Sequence, residues 1–225
     1  MKSFVFYPDR EAPISCYFFD LKKFLDDQSL SSFGLMLDDL EKQQVELRKG
    51  IFRKRYILAH GLLRKVLGKS LNNHPEEIVY TRNNYGKPGL EHGGIKFNMS
   101  HSDDLLLICV SKKYRLGVDI QLHIKIENLD TISGEMFSSA EADFVEQQPN
   151  TNKCNEFFNM WARKEALLKC LGVGLMHNPK TLATFPQGRR SAGAFTEDKS
   201  RLPIQIYYGN IKNILSWSIA FISSL

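Results

Sequence analysis

The 225-residue sequence predicts an α+β fold made of two similar halves, and three observations carry that prediction. Strand-like runs follow one another in blocks and do not alternate singly with helices, which is the pattern of an α+β chain and not of a regular βαβ sheet. A helical stretch in each half ends on a related phrase, Leu62-Leu63-Arg64-Lys65-Val66-Leu67-Gly68 and Leu167-Leu168-Lys169-Cys170-Leu171-Gly172, one residue shorter. Basic, leucine-rich helices that stop at glycine also recur without duplication, since glycine is a common C-terminal cap. The length suits two units of about 110 residues.

The elements follow from periodicity. Aromatic and β-branched runs predict strands at 4–7 and 16–21. A helix is expected over 37–67, where Leu47, Ile51, Tyr56, Leu58, Leu62, Leu63, Val66 and Leu67 supply an apolar stripe. Strands then fall at 78–81, 95–100, 105–110 and 116–121. Ser138-Ser139-Ala140-Glu141 reads as a capping box that opens a helix over 139–148, closed by Pro149-Asn150. A further helix covers 155–171, and strands at 204–208 and 214–222 complete the chain.

Composition limits what such a fold can be. With 43% hydrophobic and 24% charged residues the chain can bury a core and is not disordered. The longest apolar run, Leu105 to Val110, is far too short for a membrane span, and Met1-Lys2-Ser3-Phe4 leads into a strand-like stretch instead of a signal peptide. A cytoplasmic protein without a membrane partner is expected. Cys16, Cys109, Cys154 and Cys170 lack ligand or disulfide-framework spacing, so reduced and mostly buried thiols are expected. The net charge of +5 is unevenly placed. Between residues 42 and 69 lie Lys42, Arg48, Lys49, Arg53, Lys54, Arg55, Arg64, Lys65 and Lys69, with Glu46 the single acid in that stretch. Such a stretch attracts anions, although a solvated amphipathic helix accounts for it equally well.

Chemistry gathers in two places. In Trp161-Ala162-Arg163-Lys164-Glu165-Ala166-Leu167-Leu168-Lys169, helical spacing puts Phe157, Lys164, Leu168 and Leu171 in one arc with Trp161 at its edge, and Glu165 and Lys169 just beyond. A Glu165–Lys169 ion pair four residues apart, with Lys164 snorkelling past the core, is the plain structural account. Against it stands Gly117-Val118-Asp119-Ile120-Gln121, an acid inside a β-branched run. Two carboxylates on buried elements call for a cation, and the lysines beside them for an anion.

Two polar motifs lie between. Asn84-Tyr85-Gly86-Lys87-Pro88 is a turn whose glycine permits close backbone approach and whose lysine suits a phosphate. Phe97-Asn98-Met99-Ser100-His101-Ser102 ends a strand with side chains able to bond phosphate oxygens. An ordinary surface loop and a serine-capped turn are the corresponding structural accounts, and no G-x-S-x-G elbow surrounds Ser100.

Taken in order, these four motifs resemble those of the 4′-phosphopantetheinyl transferases, in particular the two-half, surfactin-synthetase-activating type. Arg55-Tyr56-Ile57-Leu58-Ala59-His60-Gly61-Leu62-Leu63-Arg64 is similar to that family's arginine-containing helix, and the resemblance runs over about residues 40–175. It implies a monomeric pseudo-dimer of an N-terminal half, 1–114, and a C-terminal half, 115–225, with the active site at their junction near 113–116. The implied reaction moves phosphopantetheine from coenzyme A to a serine of an apo acyl or peptidyl carrier protein. The resemblance assigns Mg²⁺ to Asp119, Gln121 and Glu165, phosphate contact and charge balance to Lys169, and proton acceptance to Glu165. It puts Gly86, Lys87 and Pro88 at the adenosine end, Ser100 and His101 on phosphate, Arg55 on the 3′-phosphate, and Lys164 near the anion.

Two positions depart from the family pattern. Gln121 stands where a glutamate is common, which makes the metal site one charge less negative, and Val173 stands where a lysine is often found in Gly172-Val173-Gly174-Leu175. The competing class is a nucleic-acid-binding module built on the basic 42–69 helix, which predicts steep salt dependence and leaves Asp119 and Glu165 without a role.

Overall fold

In the computed structural model, which describes residues 2–7, 13–174, 177–188, 191–196 and 200–223, the chain divides into two compact units, Met1–Thr81 with Pro88–Lys112, and Arg82–Lys87 with Lys113–Leu225. In the first, β1 (Lys2–Phe6) and β2 (Ile14–Asp20) precede three helices, α1 (Asp27–Leu35), α2 (Asp39–Glu46) and α3 (Gly50–Leu71). A short hairpin of β3 (Tyr80–Arg82) and β4 (Pro88–Leu90) follows, then β5 (Lys96–Ser102) and β6 (Leu105–Ser111). The four long strands form an antiparallel sheet in the order β1-β2-β6-β5. Leu58, Leu62 and Leu67 of α3 pack with Phe19, Leu106 and Ile108 of that sheet and Phe33 of α1.

The second unit opens with β7 (Tyr114–Leu122), followed by α4 (Leu129–Met136), α5 (Ser139–Glu146) and α6 (Asn150–Leu171). Strands β8 (Leu182–Gly188), β9 (Ser191–Thr196), β10 (Arg201–Ile211) and β11 (Leu215–Ser223) complete an antiparallel sheet in the order β7-β11-β10-β9-β8. Helix α6 lies across β7, β11 and β10, with Ala166, Leu167 and Cys170 in one cluster with Ala194, Ile206 and Ala220. Phe157, Phe158 and Met160 pack with Phe137 and Val145 nearer its start.

The two units repeat one design. Each runs from a strand through three helices to further strands, and the last of these returns antiparallel to the first, β6 on β2 and β11 on β7. The long helices α3 and α6 are both 22 residues and their positions differ by 100 in sequence. In each, a buried cation at the same helical position ties the unit together. Arg64 donates from Nε to Glu41 (2.5 Å), from Nη2 to Asp38 (2.5 Å) and from Nη1 to the carbonyls of Pro75 (3.1 Å) and Ile78 (3.0 Å). Lys164 donates to Glu141 (2.6 Å) and to the carbonyls of Pro179 (3.1 Å) and Leu182. Glu41 and Glu141 are each the third helical residue and the closing member of a capping box, at the N-termini of α2 and α5. A buried ammonium or guanidinium is stable there because each of its nitrogens meets an oxygen and at least one acceptor is charged.

Several expectations change. The helix foreseen over 37–67 is two helices, because α2 ends at Glu46 and the chain turns before α3 starts at Gly50, which takes φ +54°. The related phrases pair in a different register, Arg64 with Lys164 and not with Lys169, since the buried cation sets the correspondence. Helices α1 and α4 and strands β4, β8 and β9 were not foreseen. Polar serines interrupt α1, Pro186 interrupts β8, and the run Ser191-Ala192-Gly193-Ala194 in β9 lacks the β-branched signal.

Candidate active site

Strand β7 and helix α6 approach more closely at Gly117 than any side chain permits. A Cβ there would run into the carbonyl of Ala166 and the amide of Cys170. Two residues further along, on the same face of the strand, Asp119 meets Lys169, with Nζ 2.6 Å from Oδ1. Gln121, two residues on again, donates from Nε2 to the other carboxylate oxygen at 3.0 Å. Asp119 is 1% exposed, so its carboxylate is shielded from bulk water.

Glu165 stands one turn before Lys169 on α6. Burial pushes its carboxyl above the usual range, Lys169 pulls it back, and the charge of Asp119 pushes it up again. Two carboxylates and one ammonium therefore share a single electrostatic neighbourhood. Among the described residues no group of three or more His, Cys, Asp or Glu is placed to hold a metal ion.

The C-terminal end of α6 is closed by side chains from outside the helix. Gly172 takes φ +66° as its left-handed cap, and its N–H reaches Leu168 O. Lys87 donates to the carbonyls of Lys169 (2.5 Å), Cys170 (3.4 Å) and Leu116 (2.7 Å). Arg115 donates to Leu171 O, and Asn83 Nδ2 to Gly172 O at 2.8 Å. A Cβ on Gly172 would lie 3.0 Å from both Asn83 Nδ2 and Lys87 Cδ, so glycine is needed for room as well as for backbone angle. Gly86 sits in the same turn, whose backbone is folded by Asn83 Oδ1 accepting from Tyr85 and Lys87 N–H.

The remaining foreseen residues fall in the first unit. Ser100, buried, and His101, exposed, are neighbours on β5, and Pro88 begins β4. Arg55 on α3 is held by Asp104 (2.7 Å) and Asp103 (3.3 Å) in the turn between β5 and β6, and the Asp104 bond raises its proton affinity. Part of the basic stretch is thus paired within its own unit. Arg53 meets Glu46 at 3.0 Å, Lys42 meets Asp39 at 3.5 Å, and Arg64 is wholly buried. Lys164 must be reassigned. All three of its N–H donors end on Glu141, Pro179 and Leu182 inside the unit, so none is presented to a coenzyme phosphate. Leu175, in the motif after α6, lies outside the described residues.

Sequence reasoning missed Asn83, Arg115 and Glu141. Arg115 and Asn83 act on helix-end carbonyls, for which no side-chain pattern exists. Glu141 was read as a cap, and its second role as the anion for Lys164 leaves no trace in local spacing.

Comparison with known proteins places the matched region on these elements. Residues 115–221 match the model of the 4′-phosphopantetheinyl transferase superfamily. The chain is 31% identical over 127 residues to the 4′-phosphopantetheinyl transferase HetI of Nostoc sp., covering 55% of this chain and 54% of that protein. It is 29% identical over 170 residues to the 4′-phosphopantetheinyl transferase gsp of Aneurinibacillus migulanus, covering 74% and 69%. For the 4′-phosphopantetheinyl transferase AcpT of Salmonella typhimurium the figures are 31% over 124 residues, 55% and 63%. The matches thus span about half to two thirds of the length of these relatives. A solved holo-(acyl-carrier-protein) synthase from Bacillus anthracis, in complex with CoA (3′,5′-ADP), aligns over 50% of this chain and 99% of that one with a TM-score of 0.41 at 16% identity.

Proposed function

Because residues 115–221 match the model of the 4′-phosphopantetheinyl transferase superfamily, we propose that this chain transfers phosphopantetheine from coenzyme A to a serine of an apo acyl or peptidyl carrier protein. The observation that carries the reading is the pairing of buried Asp119 with partly exposed Lys169, with Glu165 one turn away, all within the matched region. In the reaction the serine Oγ attacks the phosphorus that bears pantetheine, the bond from that phosphorus to the bridging oxygen breaks, and adenosine 3′,5′-bisphosphate leaves. Such a transfer depends on alignment and charge neutralisation more than on a protein nucleophile.

Lys169 is the cation for the phosphates, held in place by Asp119 and able to balance charge on the departing oxygen. Glu165 takes the serine proton, because burial and the nearby Asp119 charge raise its affinity for one. Asp119 and Glu165 with the amide oxygen of Gln121 offer the hard oxygen donors suited to Mg²⁺, which keeps several waters and needs few protein ligands. That donor set fits the ion, and Mg²⁺ would supply further neutralisation of the pyrophosphate. Ser100, His101 and Arg55 are assigned to phosphate, and Gly86 and Pro88 to the adenosine end, on motif position.

Asp119, Gln121, Glu165 and Lys169 all come from one unit of one chain, which supports action as a monomer. Among the described residues no helix is long and apolar enough to cross a membrane, and we place the reaction in the cytoplasm. The pairing of Arg53, Arg55 and Arg64 with acids of their own unit counts against a nucleic-acid-binding helix.

The test is incubation with coenzyme A, Mg²⁺ and purified apo carrier proteins, followed by mass spectrometry. A phosphopantetheine-sized gain on the carrier, lost with the serine replaced by alanine, supports the reading. No gain on acyl or peptidyl carriers, with coenzyme A unconsumed, overturns it.

A further inference from the structure

The motif lysine at 87 has an occupation that leaves no donor for a coenzyme. An α-helix leaves its last four carbonyls without partners inside the helix, and this end carries partial negative charge. At the end of α6 the Lys87 ammonium takes Lys169 O and Cys170 O, Arg115 takes Leu171 O, the Gly172 N–H takes Leu168 O, and Asn83 takes Gly172 O. The third Lys87 contact is Leu116 O on β7, three residues before Asp119. An ammonium has three N–H donors, and here each has a backbone oxygen. Its stem is held too, since Cδ lies 3.0 Å from where a Cβ of Gly172 would stand.

We propose that Lys87 is a positioning residue, clamping the end of α6 to β7 so that Lys169 stays opposite Asp119, and is not a ligand of coenzyme phosphate. The clamp and the pair it sets are close along the chain on both elements. Lys87 bonds the carbonyl of Lys169 itself, whose Nζ is 2.6 Å from Asp119. Turning Lys87 toward a phosphate strips donors from the α6 end and frees the two elements to shift. The kinetic part of this proposal rests on the transferase reading. The clamp itself does not.

The kinetic experiment compares the full chain with Lys87→Met and Lys87→Arg. Methionine keeps the stem and removes the donors. Its kcat is expected to fall about 10- to 100-fold, the cost of slight misplacement of a reacting group, with KM for coenzyme A within about twofold. Arginine, whose fork can meet the same carbonyls, should recover part of kcat. A rise in KM at unchanged kcat marks a phosphate ligand and overturns the proposal, as does a folded Lys87→Met with both constants unchanged.

A second measurement needs no activity and guards against a variant that fails to fold. The wild-type chain is acylated with a small amine-reactive ester, with and without coenzyme A, and labelling is read at each lysine. Lys87 is expected to react far more slowly than exposed Lys96, to the same extent with or without coenzyme A. Rapid labelling of Lys87 in the free chain, or protection that appears only with coenzyme A, overturns the clamp. Should Lys87→Met not fold, Asn83→Ala removes the neighbouring bond to Gly172 and is expected to speed amide exchange at the end of α6, whereas unchanged exchange counts against the clamp. If the wild type modifies no carrier, the transferase reading fails while acylation and exchange still decide the clamp.

Discussion

At Asp119 a single carboxylate accepts from an ammonium on one oxygen and an amide on the other, so its charge is balanced within the chain. Asp119→Ala and Glu165→Ala are each expected to lower transfer about 100-fold or more with the fold retained, because each removes site charge and little core volume. Carrier mass-shift rates beside circular dichroism check this, and near-wild-type turnover in either variant sinks the assigned roles. Gln121→Glu should shift the Mg²⁺ dependence to lower concentration, since a formal charge is added. An unchanged dependence puts Gln121 outside the coordination shell. Arg163 makes the opposite case. It is 1% exposed, with Nε lacking a partner among the described residues, Nη2 3.4 Å from Met160 Sδ and its guanidinium 4.5 Å from the Tyr208 ring centroid. Burial lowers its proton affinity. Arg163→Met should therefore stabilise the chain by about 1–3 kcal/mol in urea unfolding, and a loss of stability would mean that the contact with Tyr208 outweighs desolvation.

Among the elements, the approach of β7 to α6 decides the site. Gly117→Ala is expected to cost about 3 kcal/mol or to force the strand away, since the added methyl meets backbone on both sides. Thermal unfolding together with carrier modification tests it, and a stable, active variant contradicts the close approach. The end of α6 brings a pH dependence. Burial pulls Lys87 down to about 8 from an ordinary 10.5. Below about pH 8 both folded and unfolded chains hold this proton. Between there and 10.5 the unfolded chain binds more protons, so the contribution of this group to stability rises with pH. Unfolding measured near pH 8 and near pH 10 should show a rise that Lys87→Met lacks. Much at this scale was legible in the sequence. The Ser138 capping box, the two strand runs ending at Ser100 and Val110, and Lys164 inside the apolar arc of α6 were all readable from spacing, because capping and burial follow local periodicity. The register of the repeat, the Lys87 clamp and the partner of Lys164 were not. Each depends on an oxygen far away in sequence, and no local pattern marks one.

For the whole molecule, the repeated design and the placement of acids point in different directions. With α3 and α6 aligned 100 residues apart, Asp119, Gln121 and Glu165 correspond to Phe19, Leu21 and Lys65. The buried cation that holds each unit is common to both, as Arg64 and Lys164, whereas the acidic pair belongs to the second alone. The first unit carries the shared architecture without acids at these positions, so on the proposed reading the site belongs to the second unit. A duplicated scaffold of this kind should count as one centre in solution, with titration calorimetry giving a single equivalent of coenzyme A per chain.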